Sequence, residues 1–590
     1  MTRSLTRVAP WAAAAVLLLF LLVSSVSVGL NGDVQFVLGG LNARAGATGN
    51  AWVDTFVHRP VLYRLGMWVI DGLASPLRTV GQVPYEAFVR FIGLTFAATA
   101  GGTIAWAMKR RVGSLEAVAI GGAIGLALAF STPWDYLQAE WFGAGLAAVA
   151  VAVTLGTARV RTGAFVGGGL AVIAAGMKIT TLPYLVIALL LVAAFDFQRA
   201  RAMLGMVLIW GLAFGLLILA VPRETRWLIE MSKLNPYTLL HRGFLSSDVG
   251  IWVRALTGHA ALTPSIALVP AAIAGICLDV RSLPRAIGLA CVLAGCGVLA
   301  ISPMIVQDTG YQYHLAALPI LASAYIAVAL LSPRARGRAP VVLLVCLPIV
   351  AIAAVFVSSA DAAWRSTHQM AILIGLVVAM IFTTIAVLLE ATVVLRWRPR
   401  PNAPLLVLLA LLMALAPFGP TAAWSLDPSP PSRTNASWEA SSRENWQVLT
   451  ALSEEIGRNS QVLYLASGSF VYDMGNPTDC RYPSPTFLRA AVLWARVETF
   501  ESYAENARCI SATKARYVVI QPDWIKLEAL PGAPGGGHPA AFPVIKLPAA
   551  YQASLNEKFD CSLGRTAAGL LVCPARGVTA PWGRTSPSAR

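Results

Sequence analysis

Between Pro10 and Pro420 the chain is built from apolar runs, most of them about as long as the hydrocarbon core of a bilayer is thick, separated by short polar stretches. No other feature restricts the fold as much. Inside hydrocarbon every backbone N–H and C=O must be satisfied within its own segment, so such runs form α-helices that pack as a bundle. The first run covers 10–30 and the others follow at 87–108, 115–131, 141–157, 164–177, 181–195, 203–221, 259–278, 287–306, 315–332, 340–357, 370–390 and 404–420, which gives about thirteen spans. The run at 164–177 is short and ends at Met177-Lys178-Ile179-Thr180, so it reads as a half-span packed inside protein. Residue content agrees: 57% of residues are hydrophobic and 13% charged, against about a quarter charged in soluble domains, and the chain reads as an integral membrane protein.

The formal net charge of +16 does not point to nucleic acid, because the basic residues stand in short clusters between apolar runs rather than along one polar face. Counted from a cytoplasmic N-terminus, the inside loops hold Lys109-Arg110-Arg111, Arg159 and Arg161, Arg199 and Arg201, Arg281 and Arg285, and the arginines at 334–338 and 396–400. The outer loops at 132–140 and 307–314 hold no Lys or Arg. This is the positive-inside pattern, and it orients the bundle. The first run is long for a signal peptide and lacks a small-residue cleavage site, so it reads as a retained helix.

An odd number of spans leaves everything after Pro420 outside. The expected layout is a membrane module over 1–420 with a first outer loop at 31–86, a Pro/Ser linker at 421–444, an extracytoplasmic α/β domain at 445–576 and a disordered tail at 577–590. In the α/β domain 445–456 and 487–504 have a helical period, and 461–466 and 516–521 read as buried strands. Cys480, Cys509, Cys561 and Cys573 all fall in that domain, an even number in an oxidising compartment, and Cys480–Cys509 with Cys561–Cys573 is the expected one of three connectivities. Asn435-Ala436-Ser437 matches a glycosylation acceptor, a triplet common by chance.

The chemistry gathers in the outer loops. Asp33 follows directly on the first apolar run, a costly place for a carboxylate without a task. The same loop contributes Asp54, His58, Arg59, Tyr63, Arg64 and Asp71, the loop at 132–140 gives Asp135, Gln138 and Glu140, and 222–258 gives Arg223 and Arg226. Tyr313 and His314 close a later loop, and Lys178 stands inside the membrane. Carboxylates, cations and aromatics on one membrane face suit a site that holds a phosphate and a sugar while a base takes a proton. Asp54 is a reserve base or, preferably, a helix N-cap ahead of His58-Arg59-Pro60.

The order of apolar helix, Gly32-Asp33, long loop, His58-Arg59-Pro60-Val61-Leu62-Tyr63, many spans and α/β tail resembles the GT-C superfamily of lipid-phosphosugar-dependent glycosyltransferases, which contains protein O-mannosyltransferases and the aminoarabinose transferase of lipid A. Met177-Lys178-Ile179-Thr180 looks like that family's segment near the lipid phosphate, and Tyr313-His314 resembles its Tyr-His pair. The resemblance implies inverting transfer from a polyprenyl-phosphate sugar to an acceptor hydroxyl of a cell-envelope glycan, lipid or protein, at the outer face of a bacterial cytoplasmic membrane. It implies Asp33 as the base. Lys178, Arg223, Arg226, His314 and Tyr313 would hold the donor phosphate and lipid, and Asp54, His58, Arg59, Asp135 and Glu140 would serve the acceptor or sugar. No cofactor is implied beyond a divalent cation, for which Asp33 followed by Val34 offers one acid where many relatives carry two. A transporter or flippase of a lipid-linked precursor is the alternative, and it would show internal repeats and broken helices carrying intramembrane charges.

Overall fold

A computed structural model describes residues 2–46, 50–234, 248–307, 311–331, 341–390, 403–422, 434–485, 499–522 and 549–582. The arginine clusters at 334–338 and 396–400, and most of the helix expected over 487–504, lie outside the described residues. The chain forms two compact units. One, the membrane unit, contains Met1–Gly29, Glu86–Leu217 and Arg242–Glu439; the other, the polar unit, contains Leu30–Tyr85, Ile218–His241 and Ala440–Arg590.

The stretches 30–85 and 218–241 belong with the C-terminal domain rather than with the bundle.

Among the described residues of the chain, seven helices are long and apolar enough to cross a membrane, or nine if each of two bent pairs is one span. Shorter apolar helices occupy Ser114–Ala129, Val160–Gly176 and Ile179–Phe195. Val160–Gly176 stands where the half-span was expected and stops before Lys178, and Ile179–Thr181 makes one turn into Leu182–Phe195, the run expected at 181–195. The run expected at 259–278 is broken, with Val249–Leu262 and Pro264–Leu278 bent by 98°, because Pro264 cannot continue the helix before it. Close packing relies on small residues. A Cβ at Gly156 would lie 1.8 Å from the carbonyl oxygen of Ala107, and one at Gly167 would lie 1.9 Å from the Thr154 hydroxyl. Leu208, Ile209 and Leu212 point outward from Phe197–Leu219, as lipid-facing residues do.

The polar unit is an α/β module. Strands β1 (Val462–Leu465), β2 (Tyr517–Ile520), β3 (Arg565–Ala567) and β4 (Leu570–Pro574) form one sheet in the order β1-β2-β4-β3, with β1 and β2 parallel and the other pairs antiparallel. The two expected strands are present; β3 and β4 are short and lay hidden in the sequence. Alternate residues bury opposite faces. Leu463, Leu465, Val518 and Ile520 pack with Phe56, Trp227 and Tyr482, whereas Val462, Tyr464, Tyr517 and Val519 pack with Leu449, Leu452, Val471 and Ala43. Both cores therefore include side chains from between the membrane helices.

The region 31–86 is mostly helical rather than a loop. Helices run over Gly32–Ala45, Ala51–Asp54 and Val61–Arg78, and Asn31 caps the first by accepting the Asp33 N–H at 2.8 Å. Gly32–Ala45 meets the Gly468–Met474 helix through two glycines. A Cβ at Gly468 would come within 2.2 Å of the Phe36 ring, and one at Gly39 within 2.5 Å of the Tyr472 backbone.

Both expected disulfides are formed, Cys480–Cys509 and Cys561–Cys573. Three tail expectations change. The helix expected from Asn445 begins at Asn435. Asn435 is buried and donates its amide to the carbonyl oxygens of Pro417 and Gly419, so it is not presented as a glycan acceptor. Residues 577–582 are packed, with Trp582 donating its indole N–H to Leu563, while 583–590 lies outside the described residues.

Candidate functional site

Each unit holds one cluster of the residues singled out above. In the polar unit Asp33 sits in the first turn of Gly32–Ala45, half-exposed, with Oδ2 accepting from Arg59 at 3.1 Å. Arg59 belongs to the segment that precedes Val61–Arg78, with Pro60 at the N-cap position where its fixed φ suits a helix start. His58 takes φ 51°, a left-handed conformation rare outside glycine, and its ring lies 4.3 Å from that of Phe56. Packing around the imidazole lowers its pKa to about 3, and the Arg59 charge adds to this, so His58 is neutral at physiological pH.

Asp54 does not cap a helix N-terminus. It is the last residue of Ala51–Asp54 and binds three arginines: Arg44 at 2.7 Å, Arg223 at 2.7 Å and Arg481 at 2.8 Å. Arg226 pairs with Glu501 and, at 2.9 Å, with Glu505, which also binds Arg481 and the Tyr482 hydroxyl. Arg223 and Arg226, expected as phosphate ligands, are thus engaged by carboxylates of their own unit. Nearby, Arg64 is fully buried with Glu224 at 2.6 Å, and burial lowers its pKa.

The sequence reading missed Arg44, Glu224, Arg481 and Glu505 as members of this network. Their partners lie tens to hundreds of positions away, a separation that no local spacing reports.

In the membrane unit Glu140 opens the apolar helix Ala139–Gly156 and is fully buried. Its Oε1 accepts from Lys178 Nζ at 2.7 Å and the Thr180 hydroxyl at 2.9 Å, and lies 2.8 Å from His314 Nδ1. Lys178 also stands 5.1 Å over the Tyr313 ring, whose centroid is 4.3 Å from that of His314. Four residues read separately from the sequence, Glu140, Lys178, Tyr313 and His314, therefore make one cluster.

Asp135 lies in the turn leading to that helix. It is fully buried with His259 Nε2 at 3.9 Å from Oδ2. Burial raises its carboxyl well above the usual range; the Thr132 hydroxyl offsets part of this and the Glu140 charge adds to it. Between Asp135 and Gln138 the backbone carries a second strained residue, Leu137 at φ 65°, worth about 1–3 kcal/mol. His259 was missed because a lone histidine inside an apolar run reads as ordinary packing.

Among the described residues, three metal-ligating side chains converge only at Asp479, Cys480 and Cys509, and both sulfurs there are in a disulfide. Beside Asp33 stands a guanidinium, not a second acid. That donor set does not fit a divalent cation at Asp33.

No protein-family model matches the chain, and no curated protein matches it. Two solved structures do. The crystal structure of ArnT from Cupriavidus metallidurans bound to undecaprenyl phosphate matches at TM-score 0.51 and 16% identity, over 95% of this chain and 97% of that one. The apo structure of the same protein matches at TM-score 0.48 and 15% identity, over 97% and 98%. At such identity the likeness is one of architecture: over nearly its whole length the chain shares the fold of that undecaprenyl-phosphate-bound structure.

Proposed function

We propose that the protein is an inverting glycosyltransferase moving a sugar from a polyprenyl-phosphate carrier to an acceptor hydroxyl of a cell-envelope glycan, lipid or protein, at the outer face of the bacterial cytoplasmic membrane. The observation that carries this reading is Asp33: in a chain with the GT-C fold, an accessible carboxylate directly after the first apolar helix, oriented by Arg59 at 3.1 Å. Asp33 accepts the acceptor's proton as the hydroxyl oxygen attacks the anomeric carbon. The bond from that carbon to the phosphate oxygen breaks, the configuration inverts, and the polyprenyl phosphate leaves. General-base help of this kind is worth roughly 10²–10⁴-fold.

The leaving phosphate gains charge, and a cation offsets it. Lys178 takes that role, with Glu140 as its positioning residue and His314 and Tyr313 fixing the surroundings. Arg223, Arg226 and Asp54 hold the polar unit together. An apolar groove of about 250 Å³ in the membrane unit, lined by Leu126, Phe130, Pro319, Leu409 and Met413 with Ser131 and Thr263, suits an isoprenoid chain. A lipid-phosphate carrier also accords with the undecaprenyl phosphate in the ArnT structure. The thirteen spans read from the apolar runs, an odd number, would leave the C-terminus extracytoplasmic; the seven long helices and two bent pairs among the described residues accord with a multi-pass chain.

The test is transfer of radiolabelled sugar from a panel of polyprenyl-phosphate sugars to membrane acceptors, with the full chain in nanodiscs. Wild type should consume one donor, and Asp33→Asn should lose about 100-fold or more in turnover with an unchanged melting temperature. Equal activity of the two proteins, or no donor consumed, sinks the reading.

A further inference from the structure

Among the buried polar atoms of the membrane unit that have no hydrogen-bond partner of normal geometry, seven belong to four residues: both carboxyl oxygens of Asp135, both ring nitrogens of His259, Nε2 of Gln138, and Oε1 and Nε2 of Gln312. Each of these residues is at most 4% exposed. They belong to one neighbourhood. Asp135 and His259 are 3.9 Å apart, the Gln138 N–H donates to the Asp135 carbonyl at 3.1 Å, and the helix bearing His259 packs against the turn of Gln312–Leu315. A folded protein leaves only a few such groups per hundred residues, because each costs the full loss of its hydration. A cluster of seven calls for a ligand.

The chemistry narrows what that ligand is. A phosphate is disfavoured, because Asp135 is acidic and none of the four side chains is a lysine or an arginine. The cluster mixes acceptors (the carboxyl, one ring nitrogen, an amide oxygen) with donors (the other ring nitrogen, two amide NH₂ groups). A hydroxyl both donates and accepts, so a run of neighbouring hydroxyls matches this lining. The left-handed Leu137 at φ 65° fixes the turn between Asp135 and Gln138 in a conformation kept at some cost.

We infer that Asp135, Gln138, His259 and Gln312 form a pocket for sugar hydroxyls and set which sugar the protein accepts. This rests on the transferase reading and adds to it the residues that determine specificity. Sites built from buried polar groups discriminate strongly, since a ligand lacking the matching hydroxyl leaves those groups unpaired.

The experiment compares binding of decaprenyl phosphate with decaprenyl-phosphate mannose, glucose and arabinose to the full chain in nanodiscs, for wild type, Asp135→Asn, His259→Gln and Gln312→Ala. One sugar-bearing lipid should bind wild type at least about tenfold tighter than the bare lipid phosphate, and each substitution should erase about tenfold of that preference while affinity for bare decaprenyl phosphate stays the same. A parallel arm uses the methyl glycosides of the three sugars without lipid. If these raise the melting temperature of wild type and not of the variants, the pocket takes the acceptor's sugar; if only the lipid-linked arm responds, it takes the donor's. Wild type without preference in either arm, or variants that keep the wild-type preference, overturns the inference. A melting temperature near wild type for Asp135→Asn or Gln312→Ala guards against misfolding. Failure of the transferase reading looks different: Asp33→Asn keeps turnover, or bare decaprenyl phosphate is not bound at all.

Discussion

Glu140 and Asp54 are both carboxylates ringed by cationic or polar donors, one in each unit, and they are held in opposite ways. Glu140 collects Lys178, Thr180 and His314 on a single oxygen with its side chain fully buried. Asp54 spreads two oxygens over Arg44, Arg223 and Arg481, with its side chain 19% exposed. At Glu140 the permanent cationic partners come down to one, Lys178. In the polar unit they are redundant, and water covers for a missing one.

Glu140→Ala should therefore be the most damaging change. It leaves Lys178 as a buried cation without its carboxylate, a loss of about 3–5 kcal/mol. Unfolding in detergent reads this directly, and adding Lys178→Met should recover part of the stability. A loss under about 1 kcal/mol would show that the bundle tolerates charge as the polar unit does.

Opening Cys480–Cys509 comes next. These cysteines are 29 positions apart, a loop worth about 3 kcal/mol or more in chain entropy, and Cys480 adjoins the Arg481 of the Asp54 cluster. The double Cys→Ser variant should become protease-sensitive within 440–590 while the bundle keeps its helicity by circular dichroism. Asp54→Ala should cost about 2 kcal/mol, because three charge-assisted hydrogen bonds go at once, but Arg223 and Arg481 reach water and the buried Arg44 keeps the Thr478 and Asp479 carbonyls. Arg223→Ala should cost less than about 1 kcal/mol, since Arg223 is itself 37% exposed and Asp54 keeps two arginines. A larger cost for Arg223→Ala than for Asp54→Ala would refute the redundancy, and a melting series of both variants decides it.

The spans were legible because hydrocarbon imposes its own rule: Val341–Ser359 and Gln369–Glu390 fall within a few residues of the runs expected at 340–357 and 370–390. Strands β1 and β2 were legible as continuous buried runs. The short β3 and β4 were not, because β3 is half-exposed and carries no alternation long enough to read. At the candidate site the residue types were legible and their pairing was not. Lys178 and Glu140 stood out as charges at apolar boundaries, but their salt bridge joins two helices through tertiary packing. Arg223 and Arg226 show the converse: outside arginines looked available, and Asp54, Glu501 and Glu505 turn out to hold them. His259 gave no signal and Gln312 read only as one polar residue of the loop 307–314, since an unpartnered atom is a property of three-dimensional neighbours.

The polar unit is drawn from three stretches, 30–85, 218–241 and 440–590, with membrane helices threaded between them. On the ribosome these stretches emerge in that order, and at about 5–20 residues per second the first waits on the order of tens of seconds for the last. Until then the helix of Asp33 lacks the Gly468–Met474 helix it packs on, and Asp54 lacks Arg481. The newly made chain is thus an unfinished fold whose segment 30–85 matures only after the C-terminus has been made and its cysteines joined, so a premature stop anywhere before β1 yields a product with no assembled acid helix.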